Sequence, residues 1–345
     1  MQVGFNAVVS TAQDAAFVRD AEGLGAASVW VPEVWAQDAL TQLGYLAGQT
    51  DRIRLGSSIV QLGARSPALV AMSAMSLQLL SGGRFLLGIG VSGPQVMEGW
   101  HGVRFGSPLA ATRETIEIVR TVARGDRLQH DGRVYRLPLP GGPGRALRFP
   151  LPPTPVPIYV AALGPRNLEL TGELADGWIG NMFMPEHAHV FLDRLAAGVA
   201  RAGRRLADLD LVIPVAVEFT EDADAAARRH ADGYAFTIGA MGSRDQNFYN
   251  DVLTRLGFGD DVRAVQDLWL AGQRDAAAAR VPAEIGRATN LLGTPAMVAE
   301  RLRLYRDAGI TTLQAKLSGD HAARLDTLAQ LIELVRQVSS EPAHR

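Results

Sequence analysis

Residues 85–93 read Phe-Leu-Leu-Gly-Ile-Gly-Val-Ser-Gly, a short apolar run that closes in the pattern Gly88-x-Gly90-x-x-Gly93. Two folds compete for this stretch. In a doubly wound dinucleotide-binding sheet the pattern belongs to the first strand–helix turn, with an acidic residue closing the next strand about 20 residues on. Here three strand-like runs come first, Gln2–Val9, Ser28–Val31 and Ile53–Val60. The acids at roughly the required spacing, Glu114 and Glu117, fall inside a helical pattern. The glycines therefore read as a turn stripped of side chains, which lets a flat ligand approach the backbone.

Outward from this fourth strand, Phe85–Ile89, β-branched runs alternate with segments of helical period. The helices are Thr11–Gly25 with Thr11 as N-cap, Asp38–Thr50, a segment from Pro67 to the Ser81-Gly82-Gly83 stop, and Leu109–Arg124. An excursion at 126–156 carries a hairpin-like pair around Asp131-Gly132 and a Pro/Gly-rich tract. The rhythm then resumes with strand Ile158–Ala161, helix Arg166–Ala175, strand Gly177–Gly180, helix Glu186–Gly203 and strand Leu211–Phe219. A helix starting near Asp222 and a largely helical insertion at 235–290 precede helix Pro295–Ala308, strand Thr312–Leu317, helix Ala322–Val338 and a frayed tail, Ser339–Arg345. Eight strands, each followed by a helix, predict an α/β fold of one domain over 1–345: a (β/α)8 TIM-like barrel with insertions near 126–156 and 235–290.

Composition narrows the function. Hydrophobic residues make up 47% of the 345 and charged residues 20%, enough for a substantial core. A net charge of −2 gives no basic footprint for nucleic acid or an anionic membrane. The chain has no cysteine, which excludes disulfides, thiolate nucleophiles and cysteine-ligated clusters. No apolar run reaches the roughly 18 residues of a membrane span, and the N-terminus lacks the features of a signal peptide, so a cytoplasmic location is expected. Of the 34 basic residues only Lys316 is a lysine, which disfavours Schiff-base chemistry.

Candidate chemistry lies where strands end. Ala161-Ala162-Leu163-Gly164-Pro165-Arg166-Asn167 reads equally well as an anion cradle at a helix start, with Arg166 adding charge, or as a plain helix start. Strand ends also offer Asn6, Glu33, Trp35, Ser57, Ser58 and Asn181. Glu33 follows the apolar run Ser28–Pro32, so it meets solvent, a ligand or a cationic partner, or caps a helix. His187 and His189 diverge on a helix, and no metal site is expected. Ser92 lies in no nucleophile elbow, which argues against a serine hydrolase. Met182, Phe183 and Met184 either line an apolar pocket or pack within their own loop.

The chain resembles the luciferase-like monooxygenase superfamily, in particular its branch of deazaflavin (F420)-dependent oxidoreductases. Residues 28–33, 52–58, 80–90, 92–102, 158–165 and 175–178 carry the resemblance, together with Gly293-Thr-Pro-Ala-Met-Val. Ser92-Gly-Pro-Gln-Val-Met-Glu-Gly-Trp-His-Gly102 is its most specific piece. The resemblance implies a barrel whose cofactor ring lies at the C-terminal mouth, backed by a non-proline cis peptide at Ser58–Ile59. It further implies a cofactor site of Ser57, Ser58, Ile59, Ser92, Gly93, Gln95, Val96, Ala162, Gly164, Pro165, Arg166, Asn181 and Met182. The expected activity is hydride transfer between F420 and a small organic substrate. Glu33 is the first candidate for proton delivery, with Asn6 and His101 behind it, and Trp35 and Phe183 are expected at the substrate. Where some relatives carry Asp-His after strand two, this chain has Glu33-Val34-Trp35, which departs from histidine-assisted alcohol oxidation. An FMN-dependent monooxygenase and a non-enzymatic flavin-binding protein are the alternatives. The 235–290 insertion is expected to cover the site or to join two copies as a homodimer.

Overall fold

The computed structural model describes residues 1–242 and 247–342. Eight parallel strands form its centre: β1 Gln2–Asn6, β2 Ser28–Val31, β3 Arg54–Ser57, β4 Phe85–Gly90, β5 Ile158–Ala161, β6 Gly177–Ile179, β7 Asp210–Phe219 and β8 Thr312–Lys316. Each pairs with the next. β8 returns to β1 with Gln2 opposite Thr312, so the sheet has no free edge and is a barrel. Eight helices wrap it: α1 Ala12–Gly23, α2 Ala39–Ala47, α3 Pro67–Leu80, α4 Pro108–Ala123, α5 Pro165–Leu174, α6 His189–Arg201, α7 Pro295–Asp307 and α8 His321–Ser340. None is long and apolar enough to cross a membrane.

Local chemistry sets the boundaries. Thr11 accepts from the Asp14 N–H while the Asp14 carboxylate accepts from the Thr11 N–H, a reciprocal cap that starts α1. Asp38 and Ser66 cap α2 and α3 in the same sense, and α3 carries Pro67 in its first turn. Gly82 and Gly83 adopt φ of 64° and 88° after α3, a left-handed exit that suits residues without a Cβ.

Strand parity sorts the side chains into two cores. Phe5, Val29, Leu55, Leu87, Val160 and Ile213 point outward under the helices. Trp30, Leu86, Tyr159, Ile179 and Val212 point inward and fill the barrel. Trp30 meets Tyr159 edge to face at 5.3 Å. The indole fits because its neighbour on β3 is a glycine: a Cβ on Gly56 would lie 2.3 Å from the ring. Beneath this layer Asp210 accepts from the Tyr159 hydroxyl at 2.8 Å and from Thr312 Oγ1 at 2.9 Å.

Several elements differ from the sequence expectation. Strand three ends at Ser57 instead of running to Val60, and Val60–Gln61 forms a separate short pairing with β4. The helix expected from near Asp222 is present as Ala223–Arg229, capped by Asp222. The excursion behind it starts at Ala231–Ala240 and closes with an unexpected strand, Leu291–Gly293, that pairs with the end of β7. Within it, residues 243–246 lie outside the described residues. The final helix continues to Ser340 where a frayed tail was expected, and residues 343–345 of that tail lie outside the described residues. The 126–156 excursion joins a helix to a strand, which places it at the end of the barrel away from the C-terminal strand ends. There Glu114 of α4 accepts from the N–H groups of Arg133, Val134 and Tyr135 and holds the turn between His130–Asp131 and Arg136–Leu137.

Candidate active site

At the C-terminal end of the barrel, β3 makes way for a bulge. Gly56 faces Leu86 and Val60 faces Ile89, so residues 57–59 stand against only 87–88. The ladder bonds missing there are replaced by one side chain. Ser57 Oγ donates to the Gly88 carbonyl at 2.9 Å and accepts from the Gly88 N–H at 2.9 Å. The next peptide, Ser58–Ile59, is cis. Both side chains are half-buried and belong to the inner wall of the mouth.

This bulge explains the glycines that open the sequence analysis. A Cβ on Gly88 would sit 1.9 Å from the Ser57 carbonyl oxygen, and one on Gly90 would sit 2.9 Å from two Ile59 carbons. Their missing side chains thus make room for the bulge, and they leave bare backbone beside it. Ser92 follows with φ of 55°, and Gly93 begins a short helix, Pro94–Gly99. Gln95 is exposed on this helix, whereas Val96 turns into the core, so only Gln95 is free to flank a ligand.

Glu33 is held by salt bridges. Both its oxygens meet the Arg65 guanidinium at 2.8 Å, and Oε2 also accepts from the Ala39 N–H at 3.1 Å. Arg65 reaches Asp38 as well, and its pKa is raised, chiefly by the hydrogen bonds it donates to Glu33. Burial works to raise Asp38, but the Thr41 hydroxyl, the Arg65 charge and two N–H groups hold it below the usual carboxylate range. These contacts correct the proton-delivery assignment. Glu33 is the ion-paired, helix-starting carboxylate, a positioning residue at the start of α2. The partner was missed because Arg65 lies 32 residues away, in the loop before α3.

His101 sits in the same group of loops. Gln61 Nε2 donates to the carbonyls of Glu33 and Val34, each at 3.3 Å, which turns its Oε1 toward His101 Nε2 at 2.8 Å. That acceptor requires a hydrogen on Nε2, so a neutral His101 keeps Nδ1 as its free acceptor. Trp35 is 47% exposed on the β2–α2 loop, where it forms an outer rim. Across the mouth, Asn6 Oδ1 accepts from Gln314 of β8.

The β5–α5 loop has the features of an anion site. Gly164 starts α5 without a side-chain cap, and Asn167 Oδ1 in the first turn is buried with no hydrogen-bond partner. A cavity of about 460 Å³ opens there, lined by Pro165, His189, Val190, Asp193, Arg194 and Arg255. Arg166 is exposed, and the guanidinium over this cavity is Arg255, which donates to the Leu163 carbonyl at 2.6 Å. Burial and then the charge of Arg194 press the Arg255 pKa down, against the pull of Asp251. Ala162 contributes structure, its carbonyl accepting from Trp178 Nε1 at 2.9 Å.

The β6 end divides its residues between two tasks. Asn181 Oδ1 accepts from the Met182 N–H, and Met182 turns left-handed at φ of 57°. That turn swings Phe183 away from the mouth into an aromatic cluster with Trp178, Phe191 and Tyr305. Phe183 is therefore a core residue and does not line the substrate pocket. The insertion after β7 meets the mouth at two points: Met241 lies near Gly93, and Arg255 holds the Leu163 carbonyl.

Comparisons with known proteins agree with this geometry. Residues 7–312 match the family described as luciferase-like monooxygenase. A Mycobacterium tuberculosis protein named as a coenzyme F420-dependent oxidoreductase is 37% identical over 341 residues, covering 96% of this chain and 98% of its own. The 5,10-methylenetetrahydromethanopterin reductase of Archaeoglobus fulgidus is 30% identical, covering 87% of each chain. Among solved structures, the coenzyme F420-dependent tetrahydromethanopterin reductase of Methanopyrus kandleri superposes with a TM-score of 0.79 at 21% identity, over 98% of each chain. At that identity the superposition speaks for the fold, while the matched sequence span and the 37% relative establish descent. The chain belongs to the luciferase-like monooxygenase family.

Proposed function

We propose that this chain is an F420-dependent oxidoreductase acting on a small organic substrate. The observation that carries the reading is the two-part site: a mouth walled by the half-buried Ser58–Ile59 bulge, seated over Gly88 and Gly90, and a cavity at the start of α5 lined by Arg194 and Arg255 with the single acid Asp193. A flat ring fits the first part against the bulge, whose Ser58 and Ile59 side chains are half-buried at the mouth because the two glycines beneath leave the bulge room to form. An anionic arm fits the second, where the guanidinium groups of Arg194 and Arg255 converge and outnumber the one acid, Asp193. When bound, F420 supplies a hydride at its C5 carbon. The protein's part is placement and exclusion of water. Ser58, Ile59, Ser92 and Gly93 wall the ring site, Gly164 and Pro165 border the arm, and Arg255 both faces the arm and ties the insertion to the Leu163 carbonyl. His101 Nδ1 is the side-chain base placed among the mouth loops, with the Gln61 bond fixing its tautomer.

Anaerobic titration of the apoprotein with F420 and with FMN tests the assignment. Saturable quenching of deazaflavin fluorescence, with FMN bound at least tenfold more weakly, is the expected result. Preferential FMN binding would replace this reading with an FMN-dependent monooxygenase.

A further inference from the structure

Lys316 is the sole lysine of the chain, and it closes β8 at the mouth. Its parity on β8 matches Thr312 and Gln314, whose side chains face the barrel interior. In a ring of eight strands β8 stands across from the β3–β4 wall, so Lys316 faces the open side of the site assigned to the cofactor ring. Its side chain is solvent-exposed, yet the surrounding walls desolvate the ammonium enough to lower its pKa.

Among the described residues no acid balances this charge. Among the described residues Lys316 has no hydrogen bond or ion pair. On the neighbouring β7 its register partner is Ala216, and the inward carboxylate beyond it, Glu218, is already paired with Arg229 at 2.5 Å. On the other side β1 ends in the uncharged Asn6. At the start of α8, Asp320 caps its own helix and His321 pairs with Asp20. Glu33 is neutralised by Arg65. Beside Lys316, Gln314 is fully buried with its Oε1 unpartnered, an acceptor left free for a ligand's donor hydrogen.

We propose that the substrate carries a carboxylate or a phosphate, and that Lys316 is the residue that binds it. The inference rests on the oxidoreductase reading and names the class of molecule the mouth accepts: an organic acid whose anionic group lies against β8 while its reacting carbon faces the ring. A cation that faces the mouth with no acid beside it among the described residues is matched by an anion the ligand brings.

A chain with one lysine allows a direct test. Reductive methylation with carbon-13 keeps the charge and marks only Lys316 and the N-terminal amine, and K316M assigns the two NMR signals. The F420-loaded protein is titrated with sodium acetate and with inorganic phosphate, against acetamide and sodium chloride at matched concentration. The expected result is a saturable shift of the Lys316 signal and an upward move of its titration midpoint with one of the two anions, and neither change with the controls. Acetate and phosphate distinguish a carboxylate from a phosphate ligand. The accompanying change in deazaflavin fluorescence should be lost in K316M and kept in K316R. Shifts absent with both anions, equal with chloride, or produced by F420 alone so that later anions have no effect, would each overturn the proposal. Should F420 fail to bind, the cofactor assignment falls, and the same titration of the apoprotein still decides whether Lys316 is an anion site.

Discussion

Replacing Ser57 by alanine removes one oxygen and strands two backbone groups. Ser57 Oγ is the partner of both the Gly88 carbonyl and the Gly88 N–H, and the side chain has no solvent exposure. The space left by a hydroxyl is too small for a replacement water, so both groups stay unsatisfied. At about 1–3 kcal/mol for each orphaned group, partly offset by relaxation of the bulge, the expected loss is about 2–4 kcal/mol. An unfolding entropy of about 2.1 cal/mol/K per residue converts this to a drop in Tm of roughly 3–6 °C for a chain of this length. Calorimetry or circular dichroism of the apoprotein measures it. Ser58→Ala is the control: the same atom is removed one residue on, from a half-buried side chain, and Tm should move by less than about 1 °C. A Ser57→Ala protein as stable as the parent, or an equal loss from Ser58→Ala, would refute the argument that Ser57 replaces the missing ladder.

Other perturbations probe separate parts of the structure. Gly56→Ala drives a methyl into the Trp30 ring and should cost about 1–3 kcal/mol or more in urea unfolding, since neither β3 nor the indole has room to move. Arg65→Met leaves Glu33 buried without its cation and should cost about 3–5 kcal/mol, with Glu33→Gln in the same background recovering part of the loss. Glu33→Gln alone should lower stability more than the turnover of bound substrate, the reverse of what a proton donor would show in single-turnover kinetics. Asp38 has a folded pKa below its ordinary 3.8, so its stabilisation is complete above that value and is lost as pH falls through the folded pKa. Asp38→Asn should accordingly flatten the acid limb of a Tm-against-pH curve. Arg255→Ala frees the insertion from the Leu163 carbonyl and should speed limited proteolysis of the 223–290 region while weakening F420 binding.

How much was legible in the sequence depended on how local the cause was. The bounds of β2 and β5 follow from apolar runs with punctuation at their ends, and caps such as Thr11 and Asp38 act over three residues. Strand three was read too long because the β-branched composition continues through the bulge. The signal for the break is the pair of glycines on the facing strand, visible only once register is known. Glu33 was misassigned for a similar reason: its ion pair spans 32 residues, and a carboxylate at a strand end looks the same paired or free. Phe183 was placed at the substrate by position after β6, but the left-handed Met182 reverses the side to which the next residue points. Lys316 was noticed as an isolated lysine and set aside. Its meaning lies in having no acid nearby, which only the packed strands reveal.

The Trp30 and Tyr159 stopper has a consequence for traffic through this protein. With the barrel blocked at mid-height there is no back door, and everything that reaches the bulge passes through the opening that the β7 excursion roofs. Whatever rests deepest must arrive first and depart last, so an ordered sequence of entry and exit is built into the architecture.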